Sequence, residues 1–312
     1  MNTYSRFAAI VVLSIASSAS ADVFGTGENQ FTIDFVPISG ETNPTSGPGI
    51  VSNDYRIGTF EITNGQWGKF EAAYGEVAGG NGGYLYDSYW TGESVPTNRV
   101  SWFEAAQFVN YLNTSKGHQP AYKFTGTQGS DDYMLDTWAP AEADSGTNRY
   151  RHKDAVYYMP TEDEWIKAGY WNGTNLQDYA TKSGETLHQG DGTSGTGWNY
   201  WDDGYATEPV GPWDVGSGSE ELNGTFDMMG NVWEWLESPY NDPTFGPDSS
   251  RWLGGGSYND LDVTNLASFD LGSTYPSYET NTLGFRVAAE VPEPSALSLL
   301  SLGGLILIRC RQ

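Results

Sequence analysis

The chain has 312 residues, 38% hydrophobic and 18% charged, enough for one large domain or two small ones with a substantial core, which excludes wholesale disorder. Its 40 acidic residues stand against 15 basic ones, a net charge of −25; this excludes a nucleic-acid binder, which needs a basic footprint, and disfavours adsorption to anionic lipid heads. Calcium ligation, a solvated surface or a cationic partner remain to account for the acid, while 12 Trp, 20 Tyr, 13 Phe and 39 Gly point to large rings on irregular backbone.

Residues 1–21 place one positive charge, Arg6, before the apolar run Phe7 to Ile15 and end in Ala19-Ser20-Ala21. That is the pattern of a secretory signal peptide, so the mature chain is expected to begin near Asp22. Phe31-Thr32-Ile33-Asp34-Phe35-Val36 alternates as a strand does, and Tyr55 to Thr63 alternates again. Asn64 opens a short helix carrying Trp67, Phe70 and Tyr74. Ser101 with Glu104 is a capping box; its helix runs to about Asn113, with Phe103, Ala106, Val109 (or Phe108) and Leu112 on one side.

Residues 116–154 read as a polar insertion rich in Gly, Asp, Ser and Thr. Thr161 with Glu164 is a second capping box, opening a helix through Trp165 and Ala168. There Glu162, Asp163 and Glu164 suit the helix macrodipole better than paired-carboxylate catalysis. Gly-rich loops with many Trp and Tyr then lead to the strand-like Gly284-Phe285-Arg286-Val287-Ala288, so helix and strand are expected to fill well under half the chain.

The C-terminus has Val291-Pro292-Glu293-Pro294-Ser295, an apolar stretch Ala296 to Ile308, then Arg309-Cys310-Arg311-Gln312. A helix over 296–308 would span roughly 20 Å, short of the roughly 30 Å hydrocarbon core. This tripartite tail resembles the PEP-CTERM sorting signal of Gram-negative bacteria that make exopolysaccharide. The resemblance implies export across the inner membrane, transient membrane association through helix 296–308, and processing by signal peptidase and an exosortase. Its destination would be the cell surface, outer envelope or extracellular matrix. Without Arg6, Arg309 and Arg311 the chain keeps 12 basic and 40 acidic residues, net −28, and without Cys310 it has no cysteine. An exported chain without disulfides must be held by its core, by calcium, or by both.

Six blocks in this order carry a second resemblance: Ile57-Gly58 through Glu61-Ile62-Thr63-Asn64; Val100-Ser101-Trp102; Met159-Pro160-Thr161-Glu162-Asp163-Glu164-Trp165; Gly230-Asn231-Val232-Trp233-Glu234-Trp235; Gly255-Gly256-Ser257-Tyr258; and Gly284-Phe285-Arg286. They resemble the formylglycine-generating enzyme (sulfatase-modifying factor) family. The resemblance covers roughly residues 54–289, within a domain of 22–290 followed by the sorting tail 291–312. It implies a single α+β domain related to the C-type-lectin fold, with little regular secondary structure.

The resemblance implies copper(I) oxidation of a substrate cysteine through two thiolates, but Asp260 and Asn265 stand at those positions, so copper and formylglycine formation are not expected. Nor do His118, His152 and His188 have a paired ligand spacing; all three are expected on solvent-facing loops. Two calcium sites carry over by resemblance: Asp227, Glu234 and the carbonyls of Gly230 and Val232; then Asn199, Asp203 and the carbonyls of Tyr200 and Tyr205. An Asn/Asp turn capping its own backbone is the alternative for both. Ser257, Tyr258, Asp260, Asn265 and Arg286 are the groove candidates, though Arg286 and Arg251 also suit internal ion pairs. Trp233, Trp235, Trp252 and Tyr258 are either groove aromatics or core filler. The functional expectation is an exported, non-catalytic module that binds glycan or protein, the alternative being an enzyme of different chemistry in the same groove.

Overall fold

A computed structural model describes residues 20–75, 77, 88–130 and 132–292. The signal segment up to residue 19 and the tail from 293, including helix 296–308, lie outside the described residues. Among the described residues no helix is long and apolar enough to cross a membrane.

Two small sheets and three helices share one core. The five-stranded sheet runs Ser20–Phe24, Phe31–Ile38, Tyr55–Gly58, Ala288–Glu290, Tyr157–Tyr158, every pairing antiparallel. Phe31–Ile38 buries Phe31, Ile33 and Phe35 and exposes Thr32 and Asp34, the alternation expected of a half-buried strand. The four-stranded sheet runs Gly272–Thr274, Arg251–Gly254, Trp233–Pro239, Leu283–Gly284, its last pair parallel.

Two expected strands are shorter than their alternation suggests. The Tyr55–Thr63 strand stops at Gly58, where the chain leaves the sheet and buries the Glu61 side chain against the loop of Asn231. The Gly284–Ala288 strand divides: Leu283–Gly284 joins one sheet and Ala288–Glu290 the other, with Phe285, Arg286 and Val287 fully buried between them. That single segment therefore ties the two sheets together.

The helices are α1 (Asn64–Tyr74), α2 (Trp102–Ser115) and α3 (Glu162–Tyr170). The expected capping boxes at Ser101/Glu104 and Thr161/Glu164 are formed, and Thr63 with Gln66 makes a third. α2 buries far more than one stripe, including Glu104, Gln107 and Asn113, because α1 covers one side and the Tyr157–Tyr158 strand another. Trp67, Phe70, Phe108 and Phe285 meet at ring distances of 5.0 to 6.1 Å, mostly edge to face. α3 packs on the four-stranded sheet, where a Cβ at Gly254 would lie 2.8 Å from the Trp165 ring, so only glycine allows that approach.

The segment 116–154 is more than a polar insertion. It forms two short hairpins, Lys123–Thr125 with Met134–Asp136 and Ala143–Asp144 with Asn148–His152, and it buries Tyr122, Leu135, Tyr150 and Arg151. Arg151 bonds both Glu237 (Nε, 3.0 Å) and Glu164 (Nη2, 2.9 Å), welding the segment to the start of α3 and to strand Trp233–Pro239. Polar composition concealed this, because one buried arginine and two buried tyrosines outweigh many surface Gly and Ser.

Candidate functional site

Strand Arg251–Gly254 ends in Gly255 and Gly256, whose φ values of 95° and 70° favour glycine. The turn buries Ser257 and Tyr258, which are 1% and 5% exposed. Asp260 folds back on it: Oδ2 accepts from the Ser257 N–H at 2.7 Å and from Ser257 Oγ at 2.6 Å. Oδ1 accepts from Asn265 Nδ2 at 3.1 Å. The two positions where the resemblance calls for thiolates thus do meet in space, but as a carboxylate and an amide bonded to each other. Those are hard donors, and copper(I) needs soft ones.

Arg286, a groove candidate by resemblance, is fully buried and holds Glu234 with two parallel bonds, Nη2 to Oε1 at 2.6 Å and Nε to Oε2 at 2.7 Å. Its remaining N–H groups reach the carbonyls of Gly58 (3.0 Å) and Phe226 (2.8 Å). The expectation of an internal ion pair therefore describes it, whereas Arg251 differs. Arg251 lies between the Trp102 and Tyr150 rings, 4.4 and 4.0 Å from their centres, and donates to the Ser249 carbonyl rather than to a carboxylate.

Around Arg286 the loop 226–234 is built on buried acids. Glu221 accepts from Thr225 Oγ1 (2.9 Å), Met228 N–H (3.2 Å) and Met229 N–H (3.1 Å). Glu61 accepts from Asn231 Nδ2 at 2.9 Å and Val232 N–H at 3.3 Å. Asp227 accepts from Gly216 N–H at 2.7 Å. Burial pushes the Glu221 carboxyl up to about 8 and Asp227 to about 6, against the pull of Arg286. Burial, with Asp227 and Glu234 nearby, raises Glu61 well above the usual carboxylate range. Neither Glu61 nor Glu221 stood out in the sequence, though Glu61 lies in one of the six blocks.

In the first candidate calcium set Glu234 accepts three N–H bonds, Oε2 from Arg286 Nε and from Trp165 Nε1 at 2.7 Å and Oε1 from Arg286 Nη2, so a cation there would compete with the guanidinium for the same carboxylate. Asn199 is buried and donates to Gly211 (3.1 Å) and Asn231 Oδ1 (3.2 Å). The Tyr200 carbonyl accepts from Gln189 Nε2 at 2.6 Å, while Asp203 and Tyr205 are exposed and the Tyr205 hydroxyl reaches Asn259 (3.0 Å). Among the described residues no group of three or more His, Cys, Asp or Glu is placed to hold a metal.

The remaining candidates divide by burial. Trp235 is fully buried, its Nε1 donating to the Val100 carbonyl at 2.7 Å, and so is core filler; Trp233 and Trp252 are half-buried against the same core. His118 and His188 are exposed as expected, but His152 is buried edge-on against Trp138 at 4.5 Å, because the hairpin Ala143–Asp144/Asn148–His152 turns it inward.

Comparison with known proteins places this architecture. The chain is 26% identical over 297 residues to the chaperone protein LppX of Paenibacillus barcinonensis, covering 86% of this chain and 95% of that one. It is 26% identical over 234 residues to the hercynine oxygenase of Mycobacterium tuberculosis, covering 65% of this chain and 45% of that longer protein. Among solved structures, CarF superposes with a TM-score of 0.59 at 24% identity, covering 83% of this chain and 99% of that one. Treponema denticola variable protein 1 gives a TM-score of 0.58 at 18% identity, with 87% and 99% coverage. At these identities the structures establish the fold alone. The sulfatase-modifying factor enzyme 1-like domain matches residues 25–291, taking in the strand Phe31–Ile38 ahead of the blocks that carried the resemblance, and the chain belongs to that family.

Proposed function

We propose that this chain is an exported, non-catalytic member of its family that binds a glycan or a protein at the cell surface or in an exopolysaccharide matrix. The observation that carries the non-catalytic part is the Asp260–Asn265 hydrogen bond, which fills the place of a thiolate pair with two mutually satisfied hard donors. Export rests on the two ends of the sequence. Val291 leaves the five-stranded sheet exposed, immediately before the Pro-Glu-Pro that an exosortase would address. The chaperone role named for the LppX relative supports a binding function over an oxidative one.

The experiment offers the purified protein a cysteine-containing peptide with copper(I) and oxygen. No aldehyde is expected, and the double variant Asp260→Cys/Asn265→Cys should gain copper(I) binding. Aldehyde formation by the unaltered protein would refute the proposal. The competing reading, a different chemistry in the same groove, would need Ser257 or Asp260 freed from the bonds that now occupy both.

A further inference from the structure

We infer that the surface around Tyr258 is a ledge for a neutral glycan chain, with Tyr89 and Tyr205 as its stacking platforms. This rests on the proposed binding function and names the ligand class. Tyr89 is 53% and Tyr205 40% exposed in a domain that buries most of its aromatics. Each is backed by a half-buried tryptophan set edge-on: Tyr89 by Trp90 (4.8 Å, 85°) and Tyr205 by Trp201 (4.7 Å, 87°). Tyr258 lies between the two pairs. Trp90 meets it edge-on at 5.7 Å, and the adjacent Asn259 accepts from the Tyr205 hydroxyl at 3.0 Å.

The ledge is therefore continuous and rigid. Gly211 packs so close to Trp90 that a Cβ there would lie 3.1 Å from the ring, which fixes that pair from below. Asn281 donates to the Tyr258 hydroxyl at 3.4 Å, and the Arg99 guanidinium lies 4.9 Å from the centre of the Tyr89 ring. Rings with two torsions, already held by neighbours, lose little freedom on binding.

Three features select the ligand. A pyranose offers a C–H face to a flat ring and hydroxyls at its edge, and exposed Asn259, Asp202 and Asp203 supply donors and acceptors beside the rings. The platforms of this ledge are tyrosines, whose hydroxyls can also bond to a sugar, as the leucine or methionine of a groove built for an apolar helix cannot. The net charge of −25, with Asp202 and Asp203 at the rim, opposes a uronate or sulfated polymer.

The test is calorimetric titration of the purified protein with neutral hexasaccharides of β-1,4-glucose, β-1,3-glucose, N-acetylglucosamine and mannose. At least one is expected to bind at millimolar concentration or tighter. Tyr89→Ala and Tyr205→Ala should each weaken it by about tenfold or more while leaving the melting temperature unchanged. Tyr240→Ala serves as the control: that ring is 39% exposed and edge-on to Trp252 (4.6 Å, 83°), but it stands at the far end of strand Trp233–Pro239. Silence with all four sugars, or affinities equal in the Tyr89 and Tyr205 variants, would overturn the inference. So would binding of alginate or an apolar peptide at the ledge in their place, although a peptide there would leave the non-catalytic binding module standing. Turnover of the bound molecule would remove that reading itself.

Discussion

Replacing Arg286 with methionine tests whether the centre of the domain is held by one guanidinium. The side chain makes two bonds to Glu234 and one each to the Gly58 and Phe226 carbonyls, all within 3.0 Å. Methionine keeps most of the volume and removes every one of them. Glu234 is then left fully buried with Trp165 as its remaining donor, beside Glu61 and Asp227. Breaking one side of a buried pair costs about 3–5 kcal/mol, against a total domain stability of about 5–15 kcal/mol. At a urea dependence of about 3 kcal/mol per molar, the unfolding midpoint should fall by about 1–1.7 M. The double variant Arg286→Met/Glu234→Leu removes the stranded charge as well and should recover at least half of that loss. Urea unfolding followed by tryptophan fluorescence reads both. A single-variant loss under about 1 kcal/mol, or a double variant no more stable than the single one, would refute the reasoning.

Raised carboxyls set the pH dependence. Glu221 at about 8 and Asp227 at about 6 bind their protons more tightly folded than unfolded. The stability they contribute is complete below about pH 4 and is lost as pH rises through these two values. The melting temperature should therefore be higher at about pH 5.5 than at about pH 8.5, and a flat or opposite profile would count against the buried acid cluster. Calcium at millimolar concentration should raise the melting temperature if it binds the Asp227/Glu234 loop beside Arg286, and no change would count against a calcium site there. Ser101→Ala should cost about 1 kcal/mol in chemical denaturation by uncapping α2, and no loss would show that Glu104 alone suffices.

Local signals gave much of the fold. Ser101 with Glu104 and Thr161 with Glu164 mark helix starts that form as read, since a capping box involves residues three apart and needs no tertiary partner. Alternation located Phe31–Ile38 but overran Tyr55–Gly58, because the sheet ends where Glu61 is drawn toward Asn231, 170 residues further along the chain. The candidate calcium loop shows the same limit more sharply. Its spacing was legible, but whether Glu234 faces an ion or a guanidinium depends on Arg286, 52 residues away.

The chain by itself determined its family, its acidity and the absence of thiols from residues 22–294, all properties of composition or contiguous motif. Tertiary structure alone decided what the carboxylates do. It also showed that Asp260 and Asn265 close on each other, that Trp235 is core, and that Tyr89 and Tyr205 remain open to solvent. Burial and hydrogen-bond pairing join residues far apart in sequence, and a side chain's charge or ring has no assigned role until the fold has chosen its neighbours.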